Sequence, residues 1–405
     1  METLDVSVQD LGRCLRLTDC PEVMEALRGA LREWPLASRP ANGLAPAICL
    51  HREGDGFVQF SPELPRGLYL PTPVAAACSL VADLVGSYFT RYPELTGLHC
   101  GSVEIGGRLV IFPESHRAGK STLSAAFAAA GQRVFGDDVL ALTPRGTGMA
   151  LGIAPRLRLP LPASLDPALK AFAELFSTHE DDRYRYLSLS DGTLAAHGEC
   201  LGLGAVVLLE RDDAIDEPEL VTLAPGEGLL QLLCQNFAHE ERSETLMARF
   251  LPLMASVPCL LLRYGEPLAA ARRLVMQLSD AGQSSLAVRS SATVSLTTHR
   301  HQAGVDIARI ATGHWRARRE VRDYPLGDEL FLIHTQSGAI HRLNTSGRMV
   351  WTLLSHAALT VDELASLLIE HYGDEATATV EADVAELIGR LATADLIKAD
   401  LIQPG

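Results

Sequence analysis

Residues 108–142 read RLVIFPESHRAGKSTLSAAFAAAGQRVFGDDVLAL. The apolar run Leu109-Val110-Ile111-Phe112 has the composition of a buried strand. A polar loop follows over residues 113–119 and ends in Gly119-Lys120-Ser121-Thr122. The alanine-rich stretch 120–130 predicts a helix, because alanine loses the least on entering one, and Gly131 stops it. A second short strand then delivers the adjacent carboxylates Asp137 and Asp138.

Strand, loop ending in Gly-Lys-Ser/Thr, helix, then strand with carboxylate is the order of a phosphate-binding P-loop. Loop amides and a helix N-terminus would face phosphate oxygens, so Ser115, His116, Arg117, Ala118, Gly119, Lys120, Ser121 and Thr122 form the candidate nucleotide-binding set. Lys120 would add a positive charge, and Ser121 a hydroxyl for Mg²⁺. Adjacent carboxylates repel unless a cation or a shared proton relieves them, which fits a metal beside Asp137 and Asp138. Glu114 stands where the pattern has glycine, with His116 and Arg117 near enough to offset its charge. A loop that keeps the fold without using nucleotide therefore stays open as an alternative.

The whole chain of 405 residues is long enough for two or three domains. Its 47% hydrophobic and 21% charged content is that of a globular protein, and a net charge of −15 disfavours general nucleic-acid binding. The acidic N-terminus lacks the apolar core of a signal peptide. No uninterrupted apolar window of spanning length is read, so no membrane partner is expected. The eight cysteines are scattered without a C-x-x-C pair, and reduced cytoplasmic thiols are the expectation.

Working outward, residues 1–98 predict a mixed α/β lobe with strands at 47–50 and 56–60 and a buried helix at 73–92. Gly106-Gly107 predicts a hairpin turn into the P-loop strand. Beyond Asp138, Arg156 and Arg158 alternate with apolar residues and share one strand face. That face either meets phosphate or acidic substrate, or is simply solvated. Residues 177–200 are polar and loop-like. A buried strand at 204–210, helical sequence over 225–256, a strand at 260–264 and an amphipathic helix at 268–278 complete the domain. Residues 279–320 read as a linker, with one strand near 292–296 and the basic run Arg316-Ala317-Arg318-Arg319 at its end.

His99, Gly119-Lys120-Ser121-Thr122 and Asp137-Asp138, in that order, resemble the catalytic domain of bacterial HPr kinase/phosphorylase. More closely they resemble the HPr-kinase-related proteins found beside peptide-modification genes. The resemblance implies an α/β P-loop kinase domain over residues 99–278 that uses ATP and Mg²⁺. It implies Asp137, Asp138, His99 and Lys120 as the catalytic set and Ser121 with Asp138 as metal ligands, the division of base and metal roles between the aspartates staying open.

Residues 321–405 form a separate small domain. Strands at 330–334 and 339–343 flank the turn Gln336-Ser337-Gly338. Asn344 to Ser346 cap a helix, Thr360 and Glu363 form a capping box, and a third helix spans 376–392. A hairpin followed by three helices is a winged-helix-like α+β module. The run His341-Arg342-Leu343-Asn344-Thr345-Ser346-Gly347 with Trp351, the stretch 360–364, the stretch 383–391 and Leu396-Ile397 closely resemble PqqD and related recognition elements of ribosomal peptide modification. That resemblance implies a leader peptide adding a strand to the sheet edge and packing on the third helix, with Ile340, Arg342, Leu343, Asp383, Leu387 and Arg390 as contacts.

Taken together, the expectation is an ATP-dependent kinase acting on a Ser or Thr hydroxyl of a ribosomally made precursor peptide, whose leader the C-terminal domain holds. The alternatives are a non-catalytic peptide chaperone with a degenerate or regulatory nucleotide site, and phosphorylation as an activating step towards dehydration or ligation. Other peptide-modifying enzymes are further candidate partners, and a homo-oligomer is open.

Overall fold

The computed structural model describes residues 2–113, 119–189, 192–238, 241–280, 312–373 and 377–400. Two compact units emerge: one of residues 1–223, 227–240 and 256–291, the other of residues 224–226, 241–255 and 292–405. Most of the 279–320 segment, including the strand expected at 292–296, lies outside the described residues.

The first unit begins with a six-stranded sheet in the order Leu36–Pro40, Thr3–Val8, Gly12–Thr18, Ile48–Glu53, Gly56–Phe60, Leu68–Leu70. Helices Pro21–Ala30 and Pro73–Arg91 belong to the same part of the chain. The second starts where sequence dictates: the Thr72 hydroxyl accepts the Ala75 N–H at 3.0 Å and Pro73 needs no donor in the first turn. This helix is long and apolar enough to cross a bilayer, although its sequence is interrupted by Asp83. Its Ala76, Leu80, Leu84 and Phe89 are instead buried in a core with Val6, Leu15, Trp34 and Ile48. Ala141, Met149 and Leu151 lie in that core too, so the lobe and the segment after Asp138 are one packed body.

The larger sheet has nine strands. Its parallel centre is Arg108–Pro113, Cys200–Arg211 and Cys259–Tyr264. Gly106 and Gly107, both at positive φ, turn Cys100–Ile105 back antiparallel to the first of these. The 12-residue strand Cys200–Arg211 serves two branches. Its start pairs antiparallel with Thr147–Met149 and its end parallel with Cys259–Tyr264. Residues Ala205 to Leu209 are buried throughout, as a strand covered on both faces requires. Helix Lys120–Ala129 places Leu123, Ala125, Ala126 and Phe127 in the core with Leu268, Ala271 and Leu274 of helix Pro267–Asp280.

Residues 177–200 are not the open loop expected. Ser177–Glu180 and Tyr184–Leu187 form strands, and the latter pairs with Arg156–Arg158. Tyr186 and Leu187 are the buried residues of the second strand, a signal the polar run 180–185 obscures. The helical stretch 225–256 is two helices, Pro225–Gln235 and Ser243–Ser256.

In the second unit, Val321–Leu326, Glu329–His334 and Ile340–Leu343 make an antiparallel sheet with Glu329–His334 at its centre. Helices Thr345–His356, Val361–Tyr372 and Thr377–Thr393 follow. The caps are as expected: Asn344 Oδ1 accepts the Gly347 N–H at 2.9 Å, and Thr360 and Glu363 make the reciprocal box. Trp315–Ala317 pairs with Ile397–Ala399, and Arg318 meets Asp395 at 2.5 Å. The basic run 316–319 is therefore a structured strand and its exit rather than linker, anchored by buried Trp315. Residues 241–255 also group with this unit, away from the continuous 99–278 segment expected.

Candidate functional site

Helix Lys120–Ala129 begins at Gly119, whose φ of 79° lies in the left-handed region. A side chain there would approach the Tyr264 hydroxyl at 3.5 Å and the Arg211 guanidinium at 3.6 Å. Both residues end parallel strands of the sheet. The start of the helix thus sits at the C-terminal edge of the parallel strands, where α/β sheets bind ligands. Gly119, Lys120, Ser121 and Thr122 are at this point of the fold. Glu114, Ser115, His116, Arg117 and Ala118 lie outside the described residues.

Strand Arg133–Gly136 runs antiparallel to Cys100–Ile105 and ends at the aspartate pair. The two carboxylates are not equivalent. Asp137 is only 6% exposed, while the Asp138 side chain is 48% exposed. Asp137 Oδ2 accepts the backbone N–H of Arg156 at 3.0 Å. Its buried Oδ1 has no hydrogen-bond partner among the described residues. Burial, and then the neighbouring Asp138 charge, push the Asp137 carboxyl up to about 6, against the pull of the Arg156 N–H and the Ser121 hydroxyl.

His99 Nε2 stands 2.9 Å from Asp138 Oδ1, and Arg156 Nη2 is 3.9 Å from Asp138 Oδ2. Burial alone would raise the Asp138 carboxyl. The His99 hydrogen bond and charge, with Arg156 and Lys120, outweigh it and hold the group below the ordinary carboxylate value. His99 is fixed from the backbone, where its N–H donates to Gln235 O at 3.0 Å. Arg156 also lies over the Tyr184 ring, 4.5 Å from its centroid, while Arg158 is exposed.

These groups border a cavity of about 280 Å³. Asp137, Asp138, His99 and Arg156 share it with Cys78, Tyr186 and Phe237. The Cys78 sulfur is 3.2 Å from the Tyr186 hydroxyl. Fold and spacing bring His99, Asp137, Asp138 and Ser121 together from separate segments. Cys78, Tyr186, Phe237, Arg211 and Tyr264 were missed by sequence reasoning. Only Arg211 carried a usable signal, a charge ending a buried apolar strand.

Among the described residues no group of three or more His, Cys, Asp or Glu side chains gathers as a metal site. The Ser121 hydroxyl beside a buried carboxylate with an orphan oxygen nevertheless fits Mg²⁺ held partly by nucleotide phosphates and water, which needs only one or two protein ligands.

The second site lies in the C-terminal sheet. Ladder pairing joins Ile333 to Ile340 and Phe331 to Arg342, and His334 N–H donates to Ala339 O at 3.1 Å. Antiparallel alternation then turns the N–H and C=O groups of Ile340 and Arg342 away from the ladder, along an edge that pairs with no described strand. Residues 329–397 match the family model "Coenzyme PQQ synthesis protein D (PqqD)". The match thus begins with the central strand Glu329–His334 and ends at Ile397, the first residue of the strand that pairs with Trp315–Ala317. The solved structure "TbiB1 in Complex with the TbiA(beta) Leader Peptide" is 26% identical over 21% of this chain and 99% of that one, at a TM-score of 0.19. No curated protein matches the chain.

Within the PqqD-like domain the expected contact residues separate. Leu343 is 6% exposed and packs in the core with Trp351 and Leu330, which removes it from a peptide surface. Its pairing partner Leu330 faces the same way, so strand alternation decides the matter. Ile340 is half-buried on the edge strand, and Arg342 Nε donates to Glu329 at 2.8 Å. On helix Thr377–Thr393, Asp383 and Arg390 are exposed, Leu387 is half-buried against the core, and Arg390 pairs with Glu386 one turn before it.

Proposed function

We propose that the chain is an ATP-dependent phosphotransferase that modifies a Ser or Thr hydroxyl of a ribosomally made precursor peptide, with the leader held by the PqqD-like domain. The observation that carries this reading is the ionised Asp138, exposed to the cavity and paired with His99 at 2.9 Å, beside a buried Asp137 next to Ser121. The acceptor hydroxyl loses its proton to Asp138 as its oxygen bonds to the γ-phosphorus, and the β–γ bridging bond breaks to release ADP. His99 then carries or shares that proton. Lys120 and the helix N-terminus, with Arg211 beside Gly119, would stabilise transferred charge. Mg²⁺, when bound, would neutralise phosphate charge, and Ser121 with the Asp137 oxygen that has no partner among the described residues would suit it better than Asp138 does. The Ile340–Leu343 edge offers outward backbone groups for an added leader strand.

Incubation with γ-labelled ATP, Mg²⁺ and the precursor peptide, followed by mass spectrometry, tests the reading. A phosphate-sized gain on the peptide that disappears in Lys120→Ala is expected. Normal peptide binding without nucleotide binding or consumption would overturn the kinase and leave a peptide chaperone.

A further inference from the structure

The cavity beside the aspartates has a largely apolar lining. Helix Pro73–Arg91 turns Cys78, Ala82, Val85 and Gly86 toward it, and Ile153 and Phe237 close it from elsewhere in the fold. The polar lining groups are His99, Asp137, Asp138 and Arg156 with the Cys78–Tyr186 pair, and the rest of the lining is apolar. Two features mark this wall as built to receive something. Phe237 is 44% exposed yet held edge-on by Phe89 at 5.5 Å, a rigid apolar rim. Gly86 is exposed on a helix where alanine would be favoured, and a Cβ placed on it would meet no atom of the described residues within 4 Å, so the wall stays open at this point.

We infer that this cavity is a side-chain subsite for the acceptor segment. It takes one large apolar side chain next to the hydroxyl that Asp138 deprotonates, and Gly86 sets the space available. The position beside the reacting hydroxyl rests on the phosphotransferase reading; the apolar seat does not. A hydroxyl placed at Asp138 brings its sequence neighbour over the wall formed by Val85, Gly86 and Phe237. A charged neighbour would lie against apolar side chains without a counter-ion, since Arg156 is already engaged with Asp138 and Tyr184.

The test uses the full chain and three probes, acetyl-Gly-Ser-X-Gly-amide with X as Leu, Gly or Glu. Binding is read by ligand-observed NMR without nucleotide, and transfer by mass spectrometry with ATP and Mg²⁺. The leucine peptide should bind roughly tenfold or more tightly than the glycine peptide, from burial of one side chain, with the glutamate peptide weakest. Gly86→Leu should erase that preference with a melting temperature no lower than wild type and unchanged ATP binding, and Gly86→Ala should reduce it in part. Equal binding of the leucine and glycine peptides, no binding of the leucine peptide at several millimolar, or a preference that survives Gly86→Leu would each overturn the subsite. A Gly86-dependent preference without phosphate transfer leaves the apolar seat standing and removes the phosphotransferase reading. Equal transfer to all three peptides does the reverse.

Discussion

The acidic cavity collects His99, Asp138, Arg156, Cys78 and Phe237 from five separate stretches of chain, and its working groups are side chains. The edge strand Ile340–Leu343 belongs to one hairpin, and its working groups are backbone amides and carbonyls. The first depends on how a nine-stranded sheet and a helix from the N-terminal lobe close on one another. The second depends only on local pairing and on which residues alternate outward. A site assembled from distant side chains should be sensitive to single charges. A backbone edge should be insensitive to most side chains and sensitive to proline.

The largest contrast comes from Asp138→Asn. Phosphate transfer should fall by about a hundredfold or more, while leader binding measured by calorimetry stays within error. A parallel loss of leader binding would break the separation of the two sites. Next in size is Leu84→Ala, which removes a fully buried side chain from the core behind the cavity. Its cost should be about 2–5 kcal/mol in denaturant titration. Hydrogen exchange should show the loss in residues 1–223 and not in the hairpin 329–343.

Ile340→Pro removes one outward N–H and leaves the inward ladder bonds in place. Leader affinity should drop roughly tenfold, with unchanged transfer to a leaderless acceptor. Normal affinity in this variant would move the peptide site off this edge. The smallest effect is expected from Asp5→Asn, far from both sites. Arg16 Nε is 2.7 Å from Asp5 Oδ1, and Arg13 joins the same carboxylate. The Arg16 hydrogen bond, against burial and with help from Asn42 and Arg13, holds this carboxyl well below its ordinary value. Its folded value is depressed, so its stabilisation is present above the unfolded carboxylate value near pH 4 and is lost as pH falls toward the folded value. Wild type should melt a few degrees above Asp5→Asn at pH 7, and thermal melts below about pH 4 should show the gap narrowing.

Much of the fold was legible where local signals were strong. The strand at 109–112, the helix from 120, the Gly106-Gly107 turn, the 73–91 helix and both capped C-terminal helices lie within a residue or two of where periodicity and caps put them. The strands Ser177–Glu180, Tyr184–Leu187 and Trp315–Ala317 were hidden in polar or basic runs. Short strands like these gain their stability from the partner they pair with, which composition does not display. The site was legible in the same uneven way. His99, Ser121, Asp137 and Asp138 carried motif spacing, whereas Cys78, Tyr186 and Phe237 are ordinary apolar or aromatic residues until the cavity brings them together.

By itself the sequence determined a strand over 109–112, a helix starting at Gly119-Lys120-Ser121-Thr122, a carboxylate pair one strand later, and a separate capped hairpin-and-helix module at the C-terminus. Those follow from near-neighbour physics: backbone propensity, capping and alternation. Only the tertiary structure decided that Asp137 is buried while Asp138 faces the cavity, that His99 reaches Asp138, that Leu343 belongs to a core, and that Gly86 opens onto empty space. Burial and neighbouring charges depend on what packs from far along the chain, and they, not residue type, raise the carboxyl of buried Asp137 and hold that of accessible Asp138 low.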